Sequence, residues 1–206
     1  MFFKKSRQRP PKELKGNRLT ASFKRMGGEF SFTSFSQPRF SDEEVHALFQ
    51  SAAEEVQRIE DKFTDFKESP FNEINKWAGV RAVEVDEEII SLVKESLHLS
   101  RESNGLFDIS YASLGHLWRE AKKEGRSLTE AEREQAKKYI NYQWIEIDEK
   151  KKTIFLPYTQ MKIGLGGIGK GHAVDRAYDL LRRKGLVNFY INGSGDIRVH
   201  SQNDAP

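Results

Sequence analysis

Apolar positions alternate with period two from Phe30 to Phe35 (FSFTSF), which predicts a strand with one buried face, and Pro38 ends it. Ser41-Asp42-Glu43-Glu44 is a capping box. Val45, Leu48, Phe49, Ala52, Val56, Ile59 and Phe63 follow at helical spacing and predict a long amphipathic helix, its outer face carrying Glu43, Glu54, Glu55 and Arg58. Residues 68–79, rich in turn formers and asparagine, predict a loop. A second helix is expected from Asp86, burying Ile89, Ile90, Val93 and Leu97 and stopping at Asn104-Gly105, where glycine accepts a left-handed backbone. LFDIS reads as a short strand or ordered loop. LGHLWREAKKEG and the stretch after a second capping box, Thr129 to Glu132, read as two further helices. Residues 144–148 and 153–156 have the form of a β-hairpin, and 161–164 are a candidate third strand. Then come a glycine-rich turn, a helix with Ala173, Val174, Ala177, Leu180 and Leu181 on its buried stripe, a stop at Gly185, and a strand over 187–191. The pattern is α+β, with no internal repeat.

Composition narrows the function classes. The 206 residues are 37% hydrophobic and 32% charged, enough for one domain with a substantial core or for two small ones. No run of about 18 apolar residues is present to cross a bilayer, and residues 1–19 have charge without the apolar core of a secretory signal. With no cysteine, disulfides, thiolate metal sites and cysteine nucleophiles are excluded. The net charge of +3 is unevenly spread: Lys4, Lys5, Arg7, Arg9, Lys12, Lys15, Arg18, Lys24 and Arg25 face one acid, Glu13. Residues 1–25 therefore read as a basic, disordered tail with weak attraction to anionic membrane, and no nucleic-acid partner is expected.

The segment KIGLGGIGKGHAVD, from Lys162 to Asp175, carries the candidate chemistry. Its Gly164, Gly166 and Gly169 satisfy G-x-G-x-x-G, the spacing of dinucleotide folds, and the same stretch nearly satisfies the P-loop pattern. A dinucleotide fold places an acidic residue about twenty positions on to hold the ribose, where this chain has Asn192. A P-loop needs a hydroxyl after the lysine, where this chain has Gly171. What remains is either a tight strand-to-helix turn or an anion site, because free amides at a helix start hold phosphate in either pattern.

Five segments, MGGEFSF, SPFNEIN, NGLFDIS with LGHLW, IGLGGIGKGHAVDRA and YINGSGDIR, stand in an order and at intervals that resemble the FAD:protein FMN transferase (ApbE) family. The resemblance runs from Met26 to the last residues and implies the N-terminal part of an α+β flavin transferase domain over residues 26–206. It implies a Mg2+-dependent enzyme that splits FAD at its pyrophosphate, moves FMN onto a Thr or Ser hydroxyl of a target flavoprotein and releases AMP. By the resemblance, Met26 lies against the flavin nucleotide, and Leu106, Phe107 and Asp108 line the FAD site, with Asp108 accepting from ribose or base. Phe66 matches an aromatic gate, one residue short in its spacing to Ser69. Gly166 contacts the nucleotide, the Gly169 carbonyl ligates Mg2+, and His172 stands where the family has a tyrosine against the cofactor. Asn75 ends the loop motif. Lys170 is either a phosphate partner or a solvated first-turn lysine.

Departures from the family pattern qualify these expectations. Gly164 replaces an aspartate usual before the Leu-Gly pair, and Gly193-Ser194-Gly195 replaces a Gly-Gly-Asp turn. The family's histidine ahead of an Asp-Pro turn and its Asp and Ser/Thr metal ligands have no counterpart in these residues, so no catalytic residue is assigned and a fragment or truncated product is expected. The alternatives are a flavin-binding protein that has lost the transfer chemistry and, from another class, a basic-tailed adaptor. Lacking a signal or a lipidated cysteine, the chain is expected in the cytoplasm, the alternative being export and membrane association as in many family members.

Overall fold

The structure, a computed structural model, describes residues 18–35 and 39–201. Strands β1 (Arg18–Arg25) and β2 (Gly28–Phe35) form a hairpin, and β2 pairs antiparallel with β6 (Phe189–Gly193), which pairs with β7 (Asp196–His200). The result is a four-stranded antiparallel sheet in the order β1-β2-β6-β7. A second sheet of three short strands has the order β3 (Val83–Glu84), β5 (Thr153–Phe155), β4 (Glu146–Asp148).

Two long helices, α1 (Asp42–Phe63) and α6 (Gly169–Arg183), pack against each other and against the larger sheet, α1 over β1 and α6 over β6 and β7. The apolar stripe of α1 (Val45, Phe49, Ala52, Val56, Ile59) and that of α6 (Ala173, Val174, Ala177, Leu181) are buried with Phe30, Phe32, Phe189 and Ile191 of the sheet in one continuous core. Burying each such phenylalanine contributes about 2–3 kcal/mol. Gly193 lets β6 approach α6: a Cβ there would lie 2.6 Å from the Val174 side chain and 2.7 Å from Phe30.

The capping signals mark real helix starts. Ser41 Oγ accepts from the Glu44 amide at 3.2 Å while Glu44 accepts from the Ser41 amide at 2.7 Å. Thr129 and Glu132 repeat this at α5 (Glu130–Lys137), and Asp86 caps α3 (Glu87–Glu102) through the Ile89 amide.

Three expectations change and one open reading is decided. Arg18–Arg25, placed in the tail for its charge, is strand β1: Leu19, Ala21 and Phe23 alternate inward against the core while Arg18 and Lys24 face outward, so the ordered chain starts before Met26. Residues 1–17, the rest of the expected disordered tail, lie outside the described residues. The predicted loop 68–79 contains a short helix, α2 (Asn72–Lys76). Of the two readings of LFDIS, the ordered loop holds: it leads into a 3-10 turn, Ile109–Tyr111, that runs into α4 (Ala112–Lys123). Residues 161–164 are extended yet belong to neither sheet, the Gly164 amide bonding instead to the Ile109 carbonyl at 2.9 Å. Among the described residues no helix is long and apolar enough to cross a membrane.

Candidate functional site

The hairpin between β1 and β2 turns in two residues, Met26 (φ 51) and Gly27 (φ 73), because Arg25 pairs with Gly28. Two successive positive φ values make the turn that matches strand twist, and asparagine is its usual first residue. Methionine in that left-handed conformation is strained, which favours a role for its side chain over a turn preference. The Met26 methyl lies 3.5 Å from where a Cβ of Gly169 would stand, so the hairpin tip rests on the start of α6.

This contact forms one wall of a cleft of about 600 Å³, within the range of small-molecule sites. The last turn of α1 and the segment after it supply a second wall with Glu60, Phe63, Thr64, Asp65, Phe66 and Lys67. Leu165, Gly166, Gly169 and Lys170 form the floor. Tyr111 and Phe107 hold the glycines from outside: a Cβ on Gly166 would meet the Tyr111 hydroxyl at 2.8 Å, and one on Gly167 would meet the Phe107 ring at 3.0 Å.

Unlike α1, α3 and α5, helix α6 has no side-chain cap. The Ile168 and Gly169 amides both bond to the Leu165 carbonyl (3.1 and 2.7 Å), and the His172 amide to the Ile168 carbonyl. The amides of Lys170 and Gly171 remain as first-turn donors without a backbone acceptor among the described residues. Together with the helix dipole they favour an anion at the cleft floor.

The extended segment before the glycines is fixed by Asn75, which is buried. Its side chain donates to the Ile163 carbonyl at 2.9 Å and accepts from the Ile163 amide at 2.7 Å, while its own carbonyl accepts from the Lys162 ammonium. Burial lowers the Lys162 pKa from its ordinary value. The loop motif that Asn75 ends is therefore a clamp on the turn.

Asp65, 7% exposed, is held by two partners on α4 through one oxygen: His116 Nε2 at 2.9 Å and Arg119 Nη2 at 2.8 Å. Burial pushes its pKa up, but the bonds from His116 and Arg119 outweigh this and leave it below the usual carboxylate range. Burial, and then the Asp65 charge, raise the pKa of Tyr111.

Of the residues expected at the site, Met26, Phe66, Gly166 and Gly169 are brought together on the cleft. The others stand elsewhere. Leu106 is 94% exposed and lines no part of the cleft. Phe107 sits behind Gly167. Asp108 does not offer a free carboxylate to a ribose or base: one oxygen caps the 3-10 turn, accepting from the Ser110 amide (2.8 Å) and hydroxyl (2.6 Å), and the other accepts from the Tyr142 amide (3.0 Å). His172 is one layer away from the cleft, edge-on to Phe63 (ring centroids 5.5 Å) with Nε2 3.3 Å from Glu88. Its pKa is lowered by burial despite Glu88. Asp65, His116 and Arg119 were not singled out in the sequence. The i, i+3 spacing of His116 and Arg119 puts them on one helical face, but nothing local pairs that face with a carboxylate over fifty residues earlier.

The donors for Mg2+ fall short. Among the described residues no group of three or more His, Asp or Glu side chains is placed to hold a metal ion. Gly169 is the first residue of α6, so its carbonyl faces along the helix toward the amide four residues on. These residues alone do not fit the ion.

The chain has a mixed α+β architecture with a glycine-floored cleft between a hairpin tip and an uncapped helix start, an arrangement that favours an anionic ligand. The chain belongs to the ApbE family, whose model matches residues 26–206. It is 29% identical over 155 residues to the FAD:protein FMN transferase of Klebsiella pneumoniae, an alignment covering 74% of this chain and 49% of that protein. Among solved structures it is similar to the ApbE protein of Thermotoga maritima (27% identity, TM-score 0.78, 89% of this chain and 59% of that one). It shares its fold with the flavin transferase ApbE of Vibrio cholerae (20% identity, TM-score 0.80, 91% of this chain and 60% of that one). The chain spans about half the length of the curated relatives it matches.

Proposed function

We propose that this chain forms the FAD-binding part of an FAD:protein FMN transferase. The observation that carries the reading is the convergence of Met26, Phe66, Gly166 and the first residues of α6, Gly169 and Lys170, on one cleft, beside first-turn amides without a backbone acceptor. The names of the relatives supply the chemistry. The pyrophosphate of FAD would lie at the Lys170 and Gly171 amides, with the Lys170 ammonium beside it and a flat ring between Met26 and Phe66. In the reaction a Thr or Ser oxygen of the acceptor flavoprotein bonds to the FMN phosphorus. The bond from that phosphorus to the bridging oxygen breaks, AMP leaves, and the hydroxyl proton passes to a base. These residues bind and orient the pyrophosphate; the base is not assigned among them. Mg2+ is the ion such a transferase would use, and no step is routed through it.

Titration of the chain with FAD, FMN and AMP, followed by flavin fluorescence and calorimetry, tests the binding reading. FAD is expected to bind more tightly than either half, because only FAD places both rings and the pyrophosphate. Equal affinity for FAD and AMP, or none for FAD, would overturn it. Transfer is tested separately, by mass analysis of a flavin-accepting domain after incubation with FAD and Mg2+.

A further inference from the structure

One face of α4 holds both the floor and one wall of the cleft. Ser113 Oγ accepts from the Lys162 amide at 3.0 Å, anchoring the segment that leads into the glycine floor. His116 and Arg119, three and six residues further along the same face, grip Asp65 on that wall. Arg119 has a second contact: its guanidinium lies over the Phe66 ring, 4.2 Å from the centroid. Phe66 itself is 74% exposed, and it lies outside the apolar core. Phe66 therefore has one face on a flat cation and lies exposed at the mouth of the cleft, where its remaining apolar surface is available to a ligand.

We propose that Arg119, oriented by Asp65 and His116, is the positioning residue that presents the open face of Phe66 as a stacking platform for the flat ring of the ligand. The inference rests on the reading that this cleft takes FAD. The guanidinium plane suits the task for a geometric reason. Arg119 Nη2 is fixed on the buried Asp65 carboxylate, and His116 occupies the same oxygen, so the fork has little freedom to rotate. The guanidinium plane is rigid, and the ring laid on it inherits that orientation. Asp65 and Phe66 are adjacent, so the same ion pair fixes the backbone of the gate and the support beneath its ring. The support comes from the chain's own residues, and a ring held in advance lowers the ordering cost of binding.

Arg119→Lys separates charge from plane: it keeps a cation for Asp65, so the fold survives, and removes the flat support. The ligand-free arm places 4-fluorophenylalanine at position 66 and records its fluorine resonance. In the parent chain it should be displaced from the solvent-exposed position, and in Arg119→Lys it should move to that position. An unmoved resonance overturns the inference whatever FAD does. The ligand arm measures FAD dissociation constants for the parent, Arg119→Lys, Phe66→Ala and the double variant. Each single variant should weaken binding about fivefold, the scale of one aromatic contact, and the double variant no further. Additive losses, or no loss in Arg119→Lys, overturn the inference. Absence of FAD binding by the parent chain would instead overturn the reading of the cleft, and the fluorine arm keeps the two failures apart.

Discussion

Asn75 makes two of its three side-chain hydrogen bonds to a single residue 88 positions away, and both are buried; the third runs from its amide to Asn72 Oδ1. A buried backbone group left without a partner costs about 1–3 kcal/mol. Asn75→Ala strands the amide and the carbonyl of Ile163 together and is expected to destabilise the chain by roughly 3 kcal/mol, measured by urea unfolding. Asn75→Asp keeps the acceptor for the amide but sets a second oxygen against the carbonyl, so it should rescue less than half of that loss. A loss below about 0.5 kcal/mol in the alanine variant would mean that the clamp is dispensable. The asparagine was visible in the sequence as the end of a motif. Its physical job was not, because a side chain that replaces a strand partner leaves no periodic trace. Asp108 shows the converse. Its place in a motif suggests a ligand contact, and its three hydrogen bonds to Ser110 and Tyr142 show a local cap.

At the scale of elements, whatever is local was legible. The helices α1, α3 and α5 begin at side chains that bond three residues ahead, so their starts are written in four consecutive residues. Strands β1 and β7 were missed for opposite reasons. In β1 the count of cations masks the alternation of Leu19, Ala21 and Phe23. In β7 the apolar Ile197 and Val199 are exposed, so no buried face marks the strand and only its ladder to β6 defines it. The hairpin tip carries the prediction at this scale. Asparagine tolerates the left-handed backbone that Met26 is forced into, so Met26→Asn should stabilise the fold by up to about 1 kcal/mol. The same change removes the thioether that rests on Gly169, and FAD affinity should fall as stability rises. The check is a melting temperature paired with a flavin titration of the same variant. Both quantities rising together would show that the methionine is no part of the site.

At the scale of the whole molecule, the site exists because three distant pieces meet: the hairpin tip of the larger sheet, the end of α1 and the start of α6. The start of α6 was marked by its own glycine pattern, whereas Met26 and Phe66 were reached only through the family resemblance, because nothing local joins them to it. The α1–α6 packing that brings them together also buries His172, and this gives the molecule a pH response. Glu88 faces the ring, Arg58 and Lys62 bond to Glu88, Asp175 and Arg176 lie beside it on α6, and Phe63 covers one edge. Burial is the largest influence and lowers the His172 pKa below its ordinary value. The unfolded chain therefore binds the proton first. Stability from this group is complete above about pH 6.5, the unperturbed histidine value, and is lost as pH falls from there toward the depressed folded value. Asp65 is also depressed, so its contribution is present above about pH 4 and is lost only below that. The acid side of the stability curve should fall in two stages, and His172→Gln should flatten the first while leaving the second. Melting temperatures of both proteins from pH 7.5 down to about pH 3, below the unperturbed aspartate value, decide this, and parallel curves would sink it. Because His172 lies behind Phe63 and not on the cleft, the same substitution should leave the FAD dissociation constant at pH 7.5 unchanged within about twofold, less than the roughly 0.5 kcal/mol of one aromatic contact. A larger loss of affinity at that pH would return the histidine to the site.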